Sequence, residues 1–319
     1  MTPLFLTNAE FWADQTMNGL TTGSVYALIA LGYTMVYGVL QLINFAHGEV
    51  FMIGAFAGYG VLVGLGGGDI SGAMVALAIV LALIAAAAAS GATAVAIERV
   101  AYRPLRNAPR LAPLISAIGV SIFLSHLVDD AFLDGEGRFY PQIFPSGDVS
   151  FGFFSASYIQ LFLIGSSLAM MAGLYWVVQR TKVGRAIRAV AENRDNASLM
   201  GIDVNRTIVM TFLLGAIMAG FAGVLYGLFI TSIRGSMGFI PGVKAFTAAV
   251  LGGIGNIQGA VVGGFALGLT ESVGRELLNE IPGVNLPNEW KDVVAFALLV
   301  LILIFRPTGI FRQKETKRA

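Results

Sequence analysis

Three polar side chains lie close together near the start of the chain, between two apolar segments. Asn44, His47 and Glu49 fall within six residues, and two of the three are ionisable. Ionisable groups at membrane depth are costly and by default mark functional sites. These residues could line a substrate path, form a gate or satisfy the end of a discontinuous helix. A short turn at the membrane surface explains the same pattern equally well.

Metal and cysteine chemistry is not indicated. The chain has only two histidines and no cysteine, and His47 has no partner ligands nearby in the sequence. Disulfides, thiolate catalysis and zinc sites built on cysteine are excluded. We therefore expect no metal and no resident cofactor.

A second group of polar residues occupies the longest basic loop, at positions 180–206. From Gly184 to Met200 charges interleave with apolar residues, which predicts one short amphipathic helix, and Gly201 is well placed to end it. This helix could dock a cytoplasmic protein, or it could anchor the loop at the membrane surface. The residues expected to carry docking are Arg185, Arg188, Glu192, Asp195, Asn196, Ala197 and Gly201.

Composition identifies the elements that must position these groups. Hydrophobic residues make up 56% of the 319 residues and charged residues only 12%, against about 45–50% and about 25% in soluble domains. Such a chain is a polytopic membrane protein with an all-α helical bundle. We predict a single transmembrane domain over 1–319, because no long polar stretch separates the apolar segments. The candidate spans are 17–40, 48–65, 72–97, 111–128, 157–179, 207–230, 243–271 and 291–305.

The distribution of charge predicts the orientation. Loops 98–110 and 180–206 and the tail from Arg306 are rich in Lys and Arg, whereas segment 129–148 is acidic. Short basic loops stay in the cytoplasm. We therefore expect a cytoplasmic C-terminus, an external N-terminus and an external acidic segment.

The seventh span is expected to be broken. Residues 252–259 read Gly-Gly-Ile-Gly-Asn-Ile-Gln-Gly, and each glycine costs a helix about 1 kcal/mol relative to alanine. Irregular backbone at membrane depth is tolerated only inside protein or beside a cavity. We therefore predict two short helices that enter and return, with Asn256 and Gln258 near the substrate path.

Small residues recur every four positions in two of the spans. Gly215, Ala219, Gly223 and Gly227 form one stripe, and Gly255, Gly259 and Gly263 form the other. Small residues let membrane helices approach closely. Both stripes therefore predict tight helix packing.

The chain resembles a known family along most of its length. Four strings carry the resemblance: Asn44–Glu49, Glu98–Arg106 with its continuation to Gly119, the loop Arg185–Gly201, and residues 249–260. All are similar to the smaller permease subunit of ATP-binding cassette importers for branched-chain amino acids. The similarity runs from about Asn18 to Ile310.

The resemblance implies a set of partners and a location. These are a second, homologous permease forming a heterodimer, two cytoplasmic ATP-binding subunits and a periplasmic binding protein, all at the bacterial inner membrane. ATP would be used by the partner subunits, so this chain would not be an enzyme, and nucleic acid has no place in the system. The segment Asp195–Gly201 has the spacing of the family's coupling motif, Glu-Ala-Ala-x-x-x-Gly, with Asp and Asn at its first two positions. Residues 184–201 are then the expected coupling helix.

Other functions fit the sequence less well. No Gly-Lys dipeptide occurs, so a P-loop is absent, and no Asn-Pro-Ala string indicates a water or glycerol channel. A secondary transporter is expected to bury acids within its spans, and here the acids lie mostly in loops, with Glu49 the only serious candidate. An intramembrane enzyme using His47 and Glu49 lacks a nucleophile. The solute remains open among branched-chain amino acids, neutral amino acids more broadly and urea.

Overall fold

The structure is a computed structural model that describes residues 9–106, 108–109, 111–130, 136–145, 147–151, 154–281, 287, 290–306 and 309–311. The described residues are predominantly α-helical. The helices are α1 (Ala9–Leu40), α2 (His47–Gly64), α3 (Ala73–Ile97), α4 (Leu111–Val128), α5 (Tyr158–Arg180), α6 (Lys182–Glu192), α7 (Arg194–Leu199), α8 (Val204–Ile230), α9 (Phe239–Gly252), α10 (Ile257–Leu269), α11 (Arg275–Asn279) and α12 (Trp290–Phe305).

The predicted all-α polytopic bundle is confirmed. Among the described residues, six helices are long and apolar enough to cross a membrane, and α9 is a shorter apolar helix. The third of them, α3, continues through a π-helical turn at Glu98–Tyr102 and a 3-10 turn at Arg103–Leu105. The described part of the chain also has two short antiparallel ribbons. In one, β1 (Arg138–Phe139) pairs with β4 (Ser232–Ile233), and in the other β2 (Asp148–Phe151) pairs with β3 (Phe154–Ser157).

Helix α1 is the central element, and small residues allow its close packing. A Cβ added at Gly19 would lie 2.9 Å from the Cα of Leu269, and one at Gly23 would lie 2.9 Å from the Cα of Phe265. These backbone contacts join α1 to α10 without intervening side chains. The predicted stripe on α8 packs in the same way, since a Cβ at Gly215 would lie 3.1 Å from the Cα of Gly32.

The predicted break in the seventh span is confirmed. Helix α9 ends at Gly252, and α10 starts at Ile257 after a turn containing Gly253 and Gly255, both with positive φ. The two short helices pack against each other in antiparallel directions, with Gly252 facing Gly259 and Ala248 facing Gly263. Glycine supplies both the turn and the close approach.

The basic segments gather at one end of the bundle, here called the basic end. Arg194 donates hydrogen bonds to the carbonyl of Val39, and Arg106 donates to Asn205 at 2.6 Å. At the opposite end of the bundle, the backbone N–H of Gly235 donates a hydrogen bond to the carboxylate of Asp129. The basic end thus contains the end of α1, the residues after α3, α6, α7 and the start of α8. The basic residues after Phe311 lie outside the described part of the chain.

Several elements differ from the sequence prediction, including α3, whose helical extension to Leu105 enters the predicted loop 98–110. Helix α1 begins at Ala9 rather than near residue 17, because Glu10, Asp14 and Gln15 lower the hydropathy of its first turns. The expected single helix over 184–201 is wrong. The segment forms two helices, α6 and α7, which are separated by Asn193. The backbone of Asn193 is extended, at φ −157°, and its side chain caps α7 by accepting a hydrogen bond from the N–H of Asn196. A side chain that bonds the backbone in this way competes with continuation of the preceding helix.

Candidate functional site

Asn44 joins the loop between α1 and α2 to the end of α3. Its Oδ1 accepts from the N–H of Ala46 at 3.1 Å and from the hydroxyl of Tyr102 at 3.1 Å. Tyr102 also donates to the carbonyl of Ile43 at 3.3 Å. Asn44 is buried, so in this conformation its amide organises the loop and does not face an open cavity.

His47 begins α2 and lies inside the bundle against α1. Its ring meets Tyr33 edge-on, with ring centres 4.8 Å apart, and it occupies the space that a side chain at position 32 would need. Gly32 is therefore required by the imidazole. Within the described residues no group of His, Asp or Glu could hold a metal ion.

Glu49 connects α2 to α4 and to the segment that precedes α9. Its Oε1 accepts from the hydroxyl of Ser121 at 3.0 Å, while its other oxygen, Oε2, is buried without a partner among the residues described. The first turns of α2 and α9 meet here, because a Cβ at either Gly48 or Gly238 would overlap the backbone of the other residue. Helix N-termini carry partial positive charge. An acidic side chain and two helix N-termini thus converge on one interior position.

The sequence interpretation missed an ionic cluster around Lys244 of α9. Its Nζ lies 2.8 Å from Glu271 and 2.6 Å from Asp292, donates to the hydroxyl of Tyr26 at 3.3 Å, and sits 5.6 Å from the centre of that ring. The cluster joins α1, α9, the turn after α10 and the start of α12. The cluster could have been predicted from Lys244 itself, because a charged residue inside the predicted span 243–271 needs partners.

A second buried acid corrects the expectation that Glu49 is the only serious candidate. Glu98 was assigned to a basic loop, yet its side chain is fully buried in the π-helical turn that extends α3. It pairs with Arg106 and lies 3.5 Å from Arg103. Burial lowers the pKa of Arg106 from its usual value, and the carboxylate of Glu98 opposes that shift.

Asn256 and Gln258 lie in a different place from Asn44, His47 and Glu49. Asn256 caps α10 by accepting from the N–H of Gly259 at 3.1 Å, and Gln258 donates to the hydroxyl of Tyr175 at 3.5 Å. Both residues border a cavity of about 270 Å³ between α1, α5, α6 and the α9–α10 turn. Thr34 also lines this cavity, and its hydroxyl has no partner within the part of the chain that is described.

The element formed by α6 and α7 is held against the bundle from the basic end. Arg188 donates to the carbonyl of Val178, and a side chain at Gly184 would overlap the last carbonyls of α5. Ala197 is buried, whereas the remaining predicted docking residues with large side chains, Arg185, Glu192, Asp195 and Asn196, are exposed. The buried face therefore fixes the element and the exposed face is open to a partner.

Gly201 ends α7 as its spacing predicts. It has φ +81°, its N–H bonds to the carbonyl of Ser198, and the N–H of Ile202 bonds to that of Ala197. This pairing is the Schellman arrangement. It leaves Leu199 and Met200 strongly exposed, at 85% and 83%. The sequence pattern counts both among the apolar residues of this segment, and neither is among the residues expected to carry docking.

Comparison with known proteins identifies the family. The family model described as "Branched-chain amino acid transport system / permease component" matches residues 15–303. Among curated relatives, the high-affinity branched-chain amino acid transport system permease protein BraD of Pseudomonas aeruginosa is 44% identical over 96% of this chain and 98% of its own. LivH of Escherichia coli, with the same descriptive name, is 45% identical over 97% of this chain and 98% of its own.

A solved structure is also similar over most of the chain. PsaBC from Streptococcus pneumoniae in complex with Fab aligns over 92% of both chains, with 13% identity and a TM-score of 0.46. That likeness is weak, and the assignment rests on sequence. The chain belongs to the family of permease components of branched-chain amino acid transport systems.

Proposed function

We propose that this chain is one of two membrane-spanning subunits of an ATP-driven importer for leucine, isoleucine and valine. The observation that carries the proposal is the identity of 44–45% with BraD and LivH over nearly the whole of each chain. Both relatives are named as permeases of high-affinity branched-chain amino acid transport systems. The partners would be a second homologous permease, two cytoplasmic ATP-binding subunits and a periplasmic binding protein.

The arrangement of α6 and α7 supports a role in receiving the ATP-binding subunits. The element is attached through Gly184, Arg188 and Arg194 to the ends of α5 and α1. Its tip presents Leu199 and Met200 to the surface. Exposed apolar side chains on a firmly attached element suit a protein partner. Movement of that partner would then pass directly into the two membrane helices.

The meeting of α2 and α9 supports a role in the solute path. Transporters commonly place their solute sites where interrupted helices begin inside the protein. Here α2 and α9 meet at Gly48 and Gly238, beside Glu49. The cavity next to Asn256 and Gln258 would belong to the same path nearer the basic end. The basic end would face the cytoplasm, because positive loops are retained there.

Reconstituted transport tests the proposal. Liposomes would hold this chain, its partner permease and the ATP-binding subunits, with ATP inside and leucine-loaded binding protein outside. We expect labelled leucine to accumulate only when both ATP and binding protein are present. The control replaces the ATP by a non-hydrolysable analogue.

Other outcomes would change the conclusion. Leucine entry without ATP would overturn the importer mechanism in favour of a channel or secondary carrier. ATP-dependent uptake of urea or of other neutral amino acids, with no uptake of leucine, would retain the mechanism and overturn the assigned solute.

A further inference from the structure

A cavity at the basic end, distinct from the one beside Asn256, has walls from three parts of the chain. It measures about 410 Å³ and lies between the residues that end α1, the stretch that leads into α4, and the junction of α6 and α7. This volume falls in the range of about 300–1,000 Å³ usual for small-molecule sites. Its polar walls include Arg106, Glu192, Arg194 and Asp195.

The lining combines charges of both signs with an apolar surface. Arg106 and Arg194 supply positive charge, Glu192 and Asp195 supply negative charge, and Val39, Leu42, Pro113 and Val190 are among the apolar residues. A phosphate or another purely anionic ligand would be repelled by the two carboxylates. A ligand that carries one carboxylate, one ammonium and an aliphatic side chain matches all three parts of the lining.

One detail indicates that the cavity is a built site. Nε of Arg106 is buried and has no hydrogen-bond partner among the described atoms, although its terminal nitrogens bind Glu98 and Asn205. Gln41, also on the cavity wall, has φ +56° and donates its N–H to the carbonyl of Tyr37, which is the left-handed arrangement that ends α1.

We propose that this cavity binds a free aliphatic amino acid on the basic side of the protein and that binding slows ATP-driven import. The proposal rests on the function proposed above, which identifies the basic side as the cytoplasm and the solute as a branched-chain amino acid. One wall is the α6–α7 element and the others belong to α1 and the start of α4. An amino acid bound between them would fasten the element to the bundle and resist its movement, so accumulated solute would limit its own uptake.

Binding can be measured on the assembled transporter in lipid nanodiscs without binding protein. Leucine should bind. Isocaproate lacks the ammonium group and isoamylamine lacks the carboxylate, so each should bind at least about tenfold more weakly than leucine. The loss of one charge–charge contact costs about 1.4 kcal/mol or more in binding free energy. Ala108→Phe, which fills the cavity from its wall, should abolish leucine binding. The matched control is Ala88→Phe, on an exposed position of α3 remote from the cavity.

Regulation is then measured as the rate of ATP hydrolysis with free leucine divided by the rate without it. With saturating leucine-loaded binding protein, millimolar free leucine should lower the rate severalfold in the native protein and in Ala88→Phe, and leave it unchanged in Ala108→Phe. Equal inhibition in Ala108→Phe, or no inhibition of the native protein, would overturn the proposal. Failure of the importer function itself would be recognised separately, because loaded binding protein would then not stimulate ATP hydrolysis at all.

Discussion

Lys244 of α9 and Glu271, beyond the end of α10, form an ion pair of 2.8 Å inside the bundle. Asp292 at the start of α12 completes the cluster at 2.6 Å from the same nitrogen. The pair fastens the two ends of the broken α9–α10 hairpin to each other. In a low-dielectric interior, removing one partner of such an ion pair leaves the charge of the other partner uncompensated.

Removing Lys244 alone is therefore expected to lower the free energy of unfolding by more than removing both members of the pair. Lys244→Met should lower the free energy of unfolding by about 3–5 kcal/mol, since it leaves the mostly buried Glu271 without its cation. Lys244→Met combined with Glu271→Gln should recover a large part of that loss. Thermal unfolding in detergent measures both, and equal destabilisation by the single and double variants would contradict a role for the pair.

The contact between Gly48 and Gly238 predicts a strong effect of a single methyl group. Gly48→Ala should push apart the first turns of α2 and α9, because the new Cβ would overlap the carbonyl of Gly238. We expect a large loss of leucine uptake and a lower unfolding temperature. The control is Gly60→Ala in the same helix, where a Cβ meets nothing within 4 Å and alanine favours the helix by about 1 kcal/mol. Equal behaviour of the two variants would exclude a special role for this contact.

The exposed tip of α7 predicts where the ATP-binding subunits attach. Leu199→Asp together with Met200→Asp should weaken their co-purification about tenfold or more, because apolar contact would be replaced by buried charge. Leu277→Asp, at an exposed position on α11, is the matched control. Undiminished association of the α7 variant would remove the docking assignment.

Ala197 tests a different property of the same element. Its side chain is buried against the bundle, so Ala197→Arg should detach α7 rather than alter the surface that a partner meets. We expect faster proteolysis of the 182–201 segment in the free permease as well as loss of the ATP-binding subunits. Normal protease resistance combined with lost association would instead place Ala197 in the partner interface.

The absence of cysteine allows a direct test of orientation. A single cysteine at the exposed position Asp69 should react with a membrane-impermeant maleimide added outside intact spheroplasts, whereas Lys182→Cys should react only after the membrane is permeabilised. Asp69 lies between α2 and α3 and Lys182 is the first residue of α6, so the two positions are at opposite ends of the bundle. The reverse labelling pattern would place the basic end outside and refute the orientation.

The sequence predicted the elements better than their contacts. The lengths of the apolar segments predicted the long helices, and the glycines around Asn256 predicted the break between α9 and α10, because both features depend on local chemistry. The break at Asn193 was missed, since the amphipathic pattern continues across it and only the capping bond to Asn196 interrupts the helix. Glu98 was missed because its neighbours Arg99 and Arg103 made a solvated loop the simpler interpretation.

The sequence by itself determined that this chain is a helical membrane protein, where most of its long apolar helices lie, and which family it resembles, because hydropathy, loop charge and glycine content act residue by residue. Only the tertiary structure decided which polar groups meet. Lys244 and Glu271 are 27 positions apart, and Glu49 and Ser121 are 72 apart. Their pairing depends on how the helices pack, which in a bilayer is set by backbone contacts between small residues on different helices.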